Sequence, residues 1–221
     1  MVYLKEHFCK DIELLKPEGY NVKYSFGSVR FEKKEKDRLL RIGIGYNEYF
    51  PHSAIIKGVS AYIYIEGVED VFSCFLDKYK IPKSYGDSTI RQSLMVVDEV
   101  NYSVFDSEIH DEKSFQIIAK ELTKIIDYGA LPFFEKHDTL EKVADLLSQK
   151  KPEEVVPYIQ GAILFPKTIL ILRLARHPQF KEKLLEYRRV LELQAKKNEV
   201  YKNMLLVYDD LFSEDLKDLK L

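Results

Sequence analysis

Between residues 22 and 65, hydrophobic and polar positions alternate in three runs with the period of two that marks half-buried strands. The first run sets Val22, Tyr24 and Phe26 against Lys23 and Ser25. It slips phase after Gly27-Ser28, where the apolar positions become Val29 and Phe31. A one-residue slip would turn the hydrophobic set to the opposite face, so a glycine-centred bulge or a tight hairpin must absorb it. The second run places Leu40, Ile42, Ile44 and Tyr46 on one face and Arg41, Gly43, Gly45 and Asn47 on the other. In the third, Val59, Ala61, Ile63 and Ile65 oppose Gly58, Ser60, Tyr62 and Tyr64. The charged segment 32–38 predicts a solvated connection between the first two strands, and 47–53, with Pro51, a longer one between the second and third.

Around these runs the period changes to that of helices. Leu4, Phe8, Ile12 and Leu15 predict a first helix over 2–16, stopped by Pro17 and Gly19. Val68, Val71, Phe72, Phe75, Leu76 and Tyr79 predict a second, ended by Pro82 and laid across one face of the sheet. Residues 83–89 read as a loop, and 90–97 and 100–109 as two further strands. Phe115, Ile118, Leu122, Ile125 and Ile126 form the stripe of a third helix, with Gly129 its end or a kink. From Pro132 onward the pattern is all helical. Asp138 with Glu141 matches a capping box, Pro152 opens a helix, and 168–176 reads as a short hydrophobic one. One last long helix starts at Pro178, with the stripe Phe180, Leu184, Tyr187 and Leu191 continued by Tyr201, Leu205 and Tyr208. The fold class is therefore α+β: an antiparallel sheet of about five strands covered by helices over residues 1–137, then a helical C-terminal region, 138–221, packed on it.

The succession of helix, sheet and long helix leads into Asp127-Tyr128-Gly129-Ala130-Leu131-Pro132-Phe133-Phe134 and then Thr139-Leu140-Glu141. This order resembles a group of bacterial domains of unknown function, in which a Leu-Pro-Phe-Phe turn joins the last sheet-covering helix to a short capped helix. The likeness covers residues 1–147, and the turn is its specific part. It implies an α+β fold. Because some of those domains occur near contact-dependent toxin systems, it also implies an immunity-like or partner-binding role. It carries over no catalytic residues, and fold analogy alone does not establish function.

Composition narrows the classes. The chain is 46% hydrophobic and 32% charged, which describes an ordinary globular protein, and 221 residues suffice for one large domain with a helical appendage. The net charge of −2 argues against a nucleic-acid binder, which would carry a basic excess. Two cysteines, Cys9 and Cys74, make no disulfide framework and lack metal-site spacing; they read as half-buried thiols in helices. Charges at Lys5, Glu6, Lys10, Asp11 and Glu13 interrupt the first fifteen residues, so no secretory leader is expected. The apolar run 161–175 contains Pro166, Lys167 and Arg173 and is too short to cross a bilayer. The expectation is a soluble, cytoplasmic protein.

No phosphate loop, dinucleotide fingerprint or nucleophile elbow is present, and no cofactor is expected. The five histidines are scattered singly, without a neighbouring base or nucleophile. Carboxylates are densest at Asp98, Glu99, Asp106, Glu108, Asp111 and Glu112, with His110 among them. Asp106, Glu108 and His110 are the candidate ligands of a hard cation, since such ions want several oxygen donors converging from neighbouring strands. Mixed charges on the last helices describe a solvated face. Gly43, Gly45, Ser60, Tyr62 and Tyr64 share a strand face that combines a smooth floor with two amphipathic rings, a composition favoured in contact surfaces. These features favour a non-enzymatic protein-interaction role through that face or the acidic edge. The alternative is a metal-dependent hydrolase using residues 98–112.

Overall fold

The computed structural model describes residues 5–49, 53–81, 88–95 and 102–219, with 102 and 103 described by backbone alone. The loop expected at 83–87, the apolar residues Val96 and Val97, the carboxylates of Asp98 and Glu99 and the helix stop at Pro82 lie outside the described residues. The chain divides into two compact units, each assembled from two stretches: Met1–Ile63 with Arg91–Lys136, and Tyr64–Ile90 with His137–Leu221.

The fold is α+β, as the periodicities predict. Strands β1 (Asn21–Ser25), β2 (Ser28–Glu35), β3 (Arg38–Tyr49), β4 (Ser53–Ile65) and β5 (Ile90–Ser93) are neighbours in that order, and β6 (Glu108–Ile109) also pairs with β4. The phase slip at Gly27 is a tight antiparallel hairpin: Ser25 pairs with Ser28, and Phe26-Gly27 form the turn. Gly27 has φ +67°, a left-handed value that glycine takes without steric cost, and its carbonyl accepts the Tyr46 N–H at 2.9 Å. Across the hairpin Val22 faces Phe31 and Tyr24 faces Val29, so both runs keep one apolar side.

The segment 32–38 is not the solvated connection its charges predict. Residues 32–35 continue β2, and only Lys36-Asp37 turn the chain, with Glu35 paired to Arg38. Glu32 belongs in a strand because Arg41 lies directly opposite it on β3 and Lys23 reaches it from β1, so its carboxylate is satisfied on the sheet surface.

Helix α1 (Lys5–Glu13) and helix α3 (Glu112–Ile125) complete this unit's core. The Phe8 ring lies 4.8 Å from Tyr46 of β3 and 6.3 Å from Phe115 of α3, joining sheet and both helices. Facing them, Val29, Phe31, Ile42, Ile44, Ala61 and Ile63 are fully buried. The strand expected over 100–109 is instead a 3-10 turn, Tyr102–Phe105, followed by the two-residue β6. Val104 and Phe105 are both buried, and two adjacent inward residues fit a helical turn rather than an alternating strand. Gly129 marks a kink: α3 passes through a π-turn, Ile126–Ala130, into α4 (Leu131–Lys136). The Leu-Pro-Phe-Phe motif is the first turn of α4, with Phe133 and Phe134 both buried.

The second unit is helical. Its members are α2 (Glu66–Lys78), α5 (Leu140–Ser148), α6 (Pro152–Val155), α7 (Leu164–Leu174), α8 (Phe180–Ala195), α9 (Glu199–Leu211) and α10 (Ser213–Asp218). Helix α2, expected as a cover for the sheet, groups with this unit and packs against α7 and α9. Helix α7 is its centre: all residues from Leu164 to Leu172 are buried, the mark of a helix surrounded on every side. Thr139, not Asp138, caps α5, accepting the Lys142 N–H, while Asp138 pairs with the Lys142 ammonium. The single long helix expected after Pro178 is two, α8 and α9, broken at Lys196–Asn198, where Asn198 caps the second. No helix among the described residues is long and apolar enough to cross a membrane.

Candidate functional site

The central strands β3 and β4 present two unlike faces. On one, Ile42, Ile44, Ala61 and Ile63 are buried; on the other, Gly43, Gly45, Gly58, Ser60, Tyr62 and Tyr64 are all half-buried. The absence of a side chain at Gly43 has a local cause. A Cβ there would come within 3.2 Å of Tyr62 Cε2, so the edge of the tyrosine ring packs close against the glycine. Among the described residues a Cβ at Gly45 would meet only the Gly58 carbonyl at 3.9 Å, and one at Gly58 only the Met95 sulfur at 3.8 Å. The surface is therefore low at the glycines, with one ring edge set against Gly43.

Charge flanks this floor. Arg30 lies opposite Gly43 on β2, and Glu32 lies opposite Arg41. Glu32 Oε1 accepts from Arg41 Nε at 2.6 Å and its Oε2 pairs with Lys23 Nζ at 2.6 Å, leaving the residue 4% exposed. Burial works against its ionisation, but the hydrogen bonds and charges of Lys23 and Arg41 outweigh it and hold the carboxyl below the usual carboxylate range. Tyr62 and its glycine floor thus adjoin Arg30 and a cluster, Lys23–Glu32–Arg41, whose charges are already paired.

The acidic segment is arranged differently from a converging ligand set. Asp106 is exposed, Glu108 accepts a hydrogen bond from Ser53 Oγ at 2.9 Å, and His110 Nε2 is 3.8 Å from Asp111 Oδ2. Asp111 starts α3: its carboxylate accepts the Ser114 N–H at 2.7 Å, and Ser114 Oγ accepts the Asp111 N–H in return. Those bonds from Ser114 hold the Asp111 carboxyl below its usual value. Among the described residues no three His, Cys, Asp or Glu side chains are grouped to hold a metal ion. Of the thiols, Cys9 is half-buried as expected, whereas Cys74 is exposed because it lies off the buried stripe of α2. His177 bridges within the helical unit, accepting the Gln179 N–H at Nδ1 and lying 3.3 Å from Asp145 at Nε2.

One cluster escaped sequence reasoning. Lys167, in the middle of α7, is 0% exposed, and its ammonium reaches both Glu69 oxygens, at 3.1 and 2.9 Å, and the Ser88 carbonyl at 2.9 Å. The Phe72 ring centroid is 4.9 Å away. Glu69 also accepts from Thr89 Oγ1 at 2.7 Å, and Thr89 Oγ1 accepts the Ile65 N–H at 2.8 Å. The chain Ile65–Thr89–Glu69–Lys167–Ser88 is a polar network running into an apolar helical interior. Its only signal in the sequence was a lysine inside a fifteen-residue apolar run.

Comparison with protein-family models, with curated proteins and with solved structures finds no match to this chain.

Proposed function

We propose that this chain is a protein-binding module without catalytic chemistry of its own, immunity-like in the sense of engaging a partner protein, and that Gly43, Gly45, Ser60 and Tyr62 form the contact. The reading is carried by the asymmetry of β3 and β4: one face is buried, while the other leaves a tyrosine with its ring edge against glycine, half open to solvent. Such a surface suits protein recognition because the ring offers a large, already ordered contact area, so little side-chain entropy is lost on docking. The paired charges of Lys23, Glu32 and Arg41 beside it supply a polar rim. The resemblance of residues 1–147 to a group of domains, some of them found near toxin systems, points the same way.

The test is affinity capture from lysate of the source cell with the tagged full chain, run beside Tyr62→Ala and Ser60→Arg. The first removes the ring and the second adds bulk to the floor, and neither touches the buried face. The reading predicts one stoichiometric protein retained by the wild type and lost from both variants, with unchanged thermal unfolding. Recovery of the same proteins with all three chains, or of none with the wild type, would refute it.

A further inference from the structure

The helical unit contains a cavity of about 420 Å³ between the end of α2, the residues before α7 and the start of α9. Its volume lies in the range of small-molecule sites. Ala162, Ile163 and Met204 supply an apolar floor, each of them buried. Two rings make the walls, and both are held from behind. Tyr79 donates its hydroxyl to Asp210 Oδ2 at 3.1 Å, and Tyr201 lies edge-on to Phe165 at 6.0 Å. The walls are therefore ordered before any ligand arrives.

The mouth has a sign. Lys80, Asn198 and Asn203 line it, and no aspartate or glutamate is among the described lining residues. Asn198 uses its carbonyl oxygen on the Val200 N–H, which leaves its amide as a donor. Lys80 also holds a left-handed backbone, φ +53°, fixed by hydrogen bonds from Lys80 N–H to Asp77 O and from Ile81 N–H to Leu76 O. A second left-handed residue, Gly161 at φ +69°, lines the same cavity. An apolar, aromatic-walled interior with a donor-rich, positive mouth fits a molecule of complementary build.

We propose that this cavity binds a small amphipathic carboxylate, its apolar body against Ile163 and Met204 and its carboxylate at Lys80. It rests on no part of the sheet-face reading, and either can fail without the other. The probe is decanoate, with decanol as the uncharged control, titrated into the full chain while NMR signals of the Ile163 and Met204 methyl groups are followed. Saturable shifts of these methyls with decanoate are expected, with decanol binding at least fivefold more weakly. Lys80→Gln, an exposed change that removes the charge and shortens the side chain by one atom, should weaken decanoate at least fivefold and leave decanol unchanged. Asn203→Trp, also at an exposed position, should block the mouth and abolish both. Non-saturating shifts, shifts confined to other residues, or equal decanoate affinity in wild type and Lys80→Gln would each overturn the proposal.

Discussion

Tyr187 and Tyr208 are fully buried in the helical unit, but their hydroxyls meet different fates. Tyr208 donates to the Leu184 carbonyl at 2.7 Å, whereas no acceptor lies within reach of the Tyr187 hydroxyl among the described residues. Burial pushes both hydroxyls well above the usual tyrosine range, so both remain neutral donors at any physiological pH. A satisfied buried hydrogen bond contributes about 1 kcal/mol net, while an unsatisfied buried hydroxyl carries a desolvation penalty of about 1–3 kcal/mol. Tyr208→Phe should therefore lower the urea midpoint by the equivalent of about 1 kcal/mol. Tyr187→Phe should leave the midpoint unchanged or raise it. A loss at Tyr187 equal to that at Tyr208 would show that its hydroxyl has a partner after all. None of this was legible in the sequence, where both tyrosines belong to the same helical stripes; the stripe gives the direction of a ring, not the atom that meets its hydroxyl.

Helix and strand interiors were legible because their hydrophobic period is strong, and their ends were not where the usual stop residues are missing. Helix α2 ends at Lys78 with Lys80 in the left-handed position that glycine normally fills, so the nearest visible stop was Pro82. Helices α8 and α9 meet at Lys196–Asn198 without glycine or proline, and apolar residues recur on both sides, which made one helix of two. The charges of 32–35 hid half of β2, since a carboxylate reads as solvated until its cross-strand arginine is known. Helix α7 closes as α2 does: Arg176 has φ +51°, with Arg176 N–H donating to Arg173 O at 3.0 Å and His177 N–H to Leu172 O at 2.9 Å. Left-handed backbone costs a residue with a Cβ about 1–2 kcal/mol, partly offset in glycine by its freer unfolded chain. Arg176 is exposed. Arg176→Gly should thus raise stability by about 0.5–1 kcal/mol, read as a higher melting temperature. A fall would mean that the arginine side chain contributes more than its backbone costs.

At the scale of the whole chain, neither unit is continuous, and the face carrying the candidate contact was legible only because its two strands alternate so regularly. The division itself was not, because no glycine- or proline-rich linker marks the exchange at Ile63 or Arg91. What holds the two stretches of the helical unit together is visible at Lys167 and Glu69, 98 residues apart in sequence. The lysine side chain is 0% exposed and the glutamate 18%, so removing the glutamate takes a carboxylate away from an ammonium that water cannot reach. Breaking a buried pair from one side costs about 3–5 kcal/mol, whereas apolar replacement of both partners is often neutral. Glu69→Ala should accordingly destabilise by about 3–5 kcal/mol in urea unfolding, and Glu69→Leu with Lys167→Met should recover most of it. A double variant no better than Glu69→Ala would show that the ion pair itself, rather than the loss of a carboxylate from a buried ammonium, sets the cost.

The separation of Glu69 from Lys167 is also an interval of time. A chain made at roughly 5–20 residues per second reaches Lys167 some 5–20 seconds after Glu69. For that span α2 exists with Val68, Phe72 and Leu76 and without the helices α7 and α9 that pack on it. The nascent protein carries an unfinished apolar stripe until its last third is synthesised, so the unit that begins with α2 is the one a growing chain completes last.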